Sequence, residues 1–152
     1  MSLDYDLSIA TDLKPIQALH IVSKGFDLEW DSASSNPCLF GSGILVGAHP
    51  QLDIRQSVIE EAFGFRPTID VWFQINSNVN YEGGKHTLLW VTIELLRQIS
   101  GDAVLLFNGE SIIFQRLAGQ LLLNEDWHDW ATSHLSEVTL PFEVQNLPSP
   151  LL

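Results

Sequence analysis

Residues 3–9 alternate apolar and polar side chains without a break: Leu3, Tyr5, Leu7 and Ile9 fall on one face, Asp4, Asp6 and Ser8 on the other. That period of two predicts a half-buried strand. Residues 66–76 repeat it, with Ile69, Val71, Phe73 and Ile75 inward and Thr68, Asp70, Trp72, Gln74 and Asn76 outward. A shorter copy sets Phe26, Leu28 and Trp30 against Asp27, Glu29 and Asp31. Residues 38–47, CLFGSGILVG, read as one further strand, weakened by glycines or opened by them to a close neighbour.

Helical periods lie between these runs. In 11–25, Thr11 or Asp12 can cap, Pro15 suits the first turn and Gly25 the end. Ile16, Leu19 and the pair Ala18 and Val22 make its stripe, with His20 at the edge. In 52–64, Ile54, Val58 and Ala62 recur every four residues before Gly64. The longest helix is predicted over 82–101, with Leu88, Val91, Leu95 and Ile99 on one face, widened by Leu89, Ile93 and Leu96.

Residues 101–124 read as a strand meander. Asn108-Gly109 is a strong signal for a type I′ hairpin, which needs positive φ at both central residues. Tight pairing would set Phe107 opposite Glu110 and Leu105 opposite Ile112. The strand AVLLF is apolar on both faces, so it should be central or covered on both sides. A short helix capped by Asn124 should follow, docking Trp127, Trp130, Ala131 and Leu135 on the core.

The expected order is β-α-β-β-α-β-α-β-β-β. It describes an α+β fold: a mixed or antiparallel sheet with helices packed mainly on one face. Residues 1–139 form the expected single domain. Residues 140–152 form a proline-rich extended tail, laid on the surface or disordered.

Composition narrows the function classes. At 152 residues and 45% hydrophobic content, the chain can build a core without disulfides or metal. Its single cysteine, Cys38, cannot form an internal disulfide, which fits a reducing compartment, and it reads as a small buried hydrophobe. The net charge of −12 opposes binding to nucleic acid or anionic lipid; it reads either as solubility alone or as fitting a basic partner. Acids stand near the start, where an export signal would be positive, and the apolar run 88–96 is broken by Thr92 and Glu94. The expectation is a cytoplasmic protein without a membrane span.

No motif carries recognisable catalysis. EGGKHTLL sits where a phosphate loop would, but Val79 replaces the first required glycine and His86 follows Lys85. The five histidines lack a helical ligand pair, and FGSGIL lacks the spacing of a nucleophile elbow. No metal or cofactor is expected. The acids are more suggestive: Asp4, Asp6, Asp27, Glu29, Asp31 and Asp70 all take the outward parity of their strands, and so does Trp72. This pattern reads either as a solvated outer face or as a docking face for a basic protein. An indole among charges is a typical interface anchor.

The stretches DYDLSIATDL, GFRPTIDVWFQIN, YEGGKHTLLWVTIELLRQISGDAVLLFNGE and GQLLLNEDW resemble the Sit-type immunity proteins, the class-three members of swarming-inhibition toxin systems. The likeness runs from about residue 2 to 130 and is most specific in LLRQISGDAVLLFNGE. It implies a small cytoplasmic protein that neutralises a cognate toxin from neighbouring bacteria by binding, not catalysis. It carries over no binding residues. Asp102, Asn108 and Gly109, within the shared motif, read as fold determinants. Two other readings stay open: a homodimeric or higher structural module, and a small-molecule-binding enzyme.

Overall fold

The computed structural model describes residues 2–25, 27–31 and 36–150. Phe26, expected to face inward, lies outside them. The elements run β1 (Ser2–Ile9), α1 (Pro15–Ser23), β2 (Glu29–Trp30), β3 (Cys38–Gly41), β4 (Ile44–Pro50), α2 (Asp53–Phe63), β5 (Ile69–Asn76) and α3 (Tyr81–Gln98). Then come β6 (Ala103–Phe107), β7 (Ser111–Leu117), β8 (Gln120–Asn124), α4 (His128–Ala131) and β9 (Glu143–Gln145). Short 3-10 turns at Glu125–Trp127 and Thr132–Glu137 flank α4.

Among the described residues, nine strands form one sheet in the order β2-β3-β4-β5-β1-β6-β7-β8-β9. Every pairing is antiparallel except β8 with β9. The α+β class and the mixed sheet are as the pattern predicts. The alternating runs put Tyr5, Leu7, Ile9, Val71, Phe73 and Ile75 on the inner face, where α1 and α3 bury them. The stripe of α3 behaves as read: Leu88, Leu89, Val91, Ile93, Leu95, Leu96 and Ile99 are all buried. Trp127, Trp130 and Leu135 also pack on this core, around buried Ala131. There Tyr5, Phe107, Trp127 and Trp130 close a ring of aromatic contacts, with neighbouring centroids 5.1–5.8 Å apart.

A smaller core lies on the opposite, outer face. Ile59 of α2, Phe65 and Leu147 bury Val104, Leu106, Ile112 and Leu122. This explains the doubly apolar AVLLF: β6 is covered on both sides.

Three local readings need correction. CLFGSGILVG is not one strand but the hairpin β3–β4, turning at Ser42-Gly43, with Gly43 at φ 76°. The next difference is in the meander. Asn108 and Gly109 do take positive φ (54° and 75°), and the Glu110 N–H donates to the Phe107 carbonyl at 3.1 Å. Yet Phe107 pairs with Ser111, and a bulge at Leu105/Leu106 brings Phe114, not Ile112, opposite Leu105. The bulge lets three successive apolar residues be buried: Ile112 under α2, Ile113 and Phe114 in the inner core. Finally, the predicted stripe of α2 is not its buried face. Ile59 is buried with Phe63 beside it, while Ile54 is 81% exposed.

Candidate partner-binding face

Because α2 covers only the β6–β8 side, the outer face of β2, β3, β4, β5 and β1 is left open. Cross-strand register makes that face readable row by row. One row runs Glu29, Phe40, Leu45, Gln74, Asp4 over five strands, and all five residues are exposed. The next strand-aligned row is Cys38, Gly47, Trp72, Asp6, with Asp31 beyond Cys38, to whose carbonyl its N–H is bonded at 2.9 Å. A third sets His49 opposite Asp70 and Asp70 opposite Ser8. The face thus grades from solvent to a buried edge beside α2.

Trp72 does not stand out into solvent. Its half-buried indole lies over Gly47, whose missing side chain makes the room. The close approach expected near these glycines is made here. Two open clefts meet at Trp72. One, about 440 Å³, is bordered by Asp4, Asp6, His49, Arg55 and Asp70. The other, about 950 Å³, runs between Trp72, Pro15, Ile16 and Leu52.

The charges at the buried edge form a linked set. Asp70 is 9% exposed, and its Oδ2 lies 3.1 Å from His49 Nε2. His49 Nδ1 lies 2.8 Å from the Pro50 carbonyl. Bonding to Asp70 raises the imidazole to about 9, so at neutral pH it is a cation donating from both nitrogens. Asp6 sits diagonally across the β1–β5 ladder from Asp70. Burial, then repulsion from Asp70, pushes its carboxyl up to about 7, with Arg55 acting in the opposite direction. Arg55 is fixed by donating to the Gly109 carbonyl at 2.5 Å, so the hairpin turn anchors α2 over the acids. The result is two neighbouring carboxyls, Asp6 and Asp70, flanked by the cations His49 and Arg55 and by a tryptophan.

Of the residues singled out from sequence, Asp4, Asp6, Asp70 and Trp72 come together on two adjacent strands. Glu29 and Asp31 lie at the far end of the same rows. Asp27 is separate: it occupies a turn with φ 57° rather than a strand. Sequence reasoning missed His49, Arg55 and the apolar rim. Leu45 (36%), Phe40 (39%), Leu52 (66%) and Ile54 (81%) are exposed around the acids. The signal for the last two was available: an α2 stripe whose polar flanks, Arg55 and Gln56, are the residues that bond inward to Gly109 and Pro67.

A second polar cluster lies at the start of α3. Lys85, nearly buried, pairs with Glu82 at 3.2 Å and lies over the Tyr81 and Trp130 rings at 5.5 and 5.6 Å. His134 meets Glu82 at 3.3 Å and stacks on His86 at 4.7 Å. This set clamps the α4 region onto α3. Gly84 here serves packing, since a Cβ would meet Ile75 at 3.0 Å and the Gly43 carbonyl at 3.1 Å. Among the described residues, no three His, Cys, Asp or Glu side chains are grouped to hold a metal ion. No helix among them is long and apolar enough to cross a membrane.

Comparison with known families decides the kinship. The SitI3-like family model matches residues 3–134. The chain belongs to the SitI3-like family. No curated protein and no solved structure matches it. The matched span contains the whole open face and both cores' strands from β1 to β8, so the resemblance carried by the N-terminal strand and the α3–β6 block holds across the fold.

Proposed function

We propose that this SitI3-like protein is a non-enzymatic immunity protein that neutralises a cognate protein toxin in the cytoplasm by binding it. Family membership supports the general, immunity-type function. The binding surface is the open outer face, and its partner is a basic protein surface. The observation that carries this reading is the exposed row Glu29, Phe40, Leu45, Gln74, Asp4, backed by Trp72. It mixes apolar anchors with acids over five uncovered strands, the mixture expected where aromatic burial sets residence time and charge speeds encounter.

The test mixes the purified protein with the product of the adjacent gene. Calorimetry should show a complex at micromolar concentration or tighter. Trp72→Ala should weaken it at least tenfold, and Asp4→Lys should slow association most at low salt. Binding that ignores both substitutions sinks this face. Light scattering on the protein alone tests self-association through the same surface, against which the net charge of −12 acts.

A further inference from the structure

The segment after α4 returns along the sheet as a strap, and the way it is held is that of a bound peptide. Three features hold it. Residues Glu143, Val144 and Gln145 add a parallel strand to the edge of β8, opposite Leu122, Leu123 and Asn124. All three are exposed, so this contact is made mainly by backbone, with Gln120 Nε2 donating to Glu143 Oε2 at 3.5 Å. The Asn124 side chain then grips Leu147 twice: Nδ2 donates to the Leu147 carbonyl at 2.9 Å, and Oδ1 accepts from the Leu147 N–H at 3.1 Å. Nδ2 also donates to the Ile112 carbonyl at 2.8 Å, which fixes the amide to the sheet. The third feature is side-chain anchoring: Phe142 packs on the inner core, edge-on to Phe114 at 6.5 Å, Ser149 Oγ accepts from the Ile112 N–H at 3.4 Å, and Leu147 is the deepest anchor. Leu147, 9% exposed, inserts among Ile59, Phe65 and Leu122 beneath α2. Beside it a cleft of about 290 Å³ stays open between Ala62, Phe63, Gln115 and Leu117.

We propose that the β8 edge, the Asn124 amide and the apolar notch under α2 form a peptide-binding groove. The strap fills it within the chain, and it takes from outside an extended peptide with a leucine at the position of Leu147. The logic is strand addition: main-chain bonds give affinity that is blind to sequence, and one pocket gives specificity. The groove walls all lie within residues 3–134 that match the family, while the strap lies outside that span. The strap is also built to be let go. Its hold is one buried side chain, the partly buried Phe142 and a few hydrogen bonds, and Pro141, Pro148 and Pro150 prevent the pairing from spreading. Releasing it leaves both cores' strands paired.

The test uses the full chain carrying Leu147→Asp, whose carboxylate is expelled from the notch and frees the strap. A fluorescent peptide with the sequence of residues 141–150 is titrated by anisotropy. It should bind the variant at micromolar concentration and bind the unmodified chain at least tenfold more weakly. The same peptide carrying Leu147→Asp should not bind. Equal binding to both chains, equal binding of both peptides, or no binding overturns the groove. Hydrogen exchange on the unmodified chain gives an independent reading should the variant not fold. The Leu147 amide should exchange at least a hundredfold faster than that of Leu123. Exchange at the same rate makes the strap an integral part of the sheet and overturns the proposal.

Discussion

The indole of Trp72 occupies the space a side chain would take on Gly47: a Cβ there would lie 2.1 Å from Trp72 Cζ2. The two residues pair directly across β4 and β5. Gly47→Ala should therefore destabilise the protein by about 1–3 kcal/mol, the usual cost of overpacking. In a Trp72→Ala background the same change should cost about 1–2 kcal/mol less, because the obstacle is gone. Urea melts of the four chains of this cycle measure the coupling.

Asp6 makes stability depend on pH. Its carboxyl is raised from the ordinary value of 3.8 to about 7 in the fold, mainly by burial. Below the ordinary value the native and unfolded chains carry the same proton. Between them the native state holds more protons, so stability falls as pH rises from about 4 to 7. His49, raised from 6.5 to about 9, extends the decline: its contribution is complete below 6.5 and lost as pH passes 9. Asp6→Asn should flatten the acid half of this slope and stabilise the protein at pH 8 by roughly 1–3 kcal/mol. Thermal melts between pH 4 and 9 show whether the two slopes separate.

Arg116 is a buried cation that closes the end of α3. Its guanidinium donates to the carbonyls of Leu96, Ile99 and Gly101, the last from Nε at 3.1 Å and from Nη2 at 2.7 Å. A planar fork can serve three carbonyls; an ammonium cannot match that geometry. Arg116→Met should cost about 2–4 kcal/mol, since it strands buried acceptors. Arg116→Lys should recover less than half of that in chemical denaturation.

Ala118 offers a gain. It sits at φ 52° in the turn between β7 and β8, followed by Gly119 at 81°. An L-residue with a Cβ is strained there, while asparagine tolerates the conformation. Its N–H donates to Asp102 Oδ1 at 2.9 Å and would still do so. Ala118→Asn should stabilise by about 0.5–1 kcal/mol, read as a rise of a few degrees in Tm.

How much of this could be read in advance varied with the physics behind each signal. Period-two alternation reports burial on one face, and it placed β1 and β5 and their outward acids correctly. Asn108-Gly109 marked its turn because positive φ is a local demand. Ala118-Gly119 makes an equally tight turn, but alanine gives no sign of it. The register of β6 on β7 was lost because the bulge answers to two cores at once, which no single-strand pattern encodes. The stripe of α2 misled for a related reason. Ile54, Val58 and Ala62 are spaced for burial, but Arg55 and Gln56 bind inward, and this rotates the stripe towards solvent. The candidate face shows both effects: its acids were legible from parity, whereas His49, Arg55 and the apolar rim needed the tertiary pairing of β4, α2 and the hairpin.

The sheet order has a temporal consequence. β1 sits between β5 and β6, so its partners are residues 69–76 and 103–107. At ordinary synthesis rates the second partner follows β1 by roughly 5–20 s. Until then Leu7 and Ile9 have no second neighbour, and the inner core cannot close. β1 thus waits longer after its own synthesis for its full set of partners than any other strand of the sheet, and a newly made copy exposes its apolar face through those seconds.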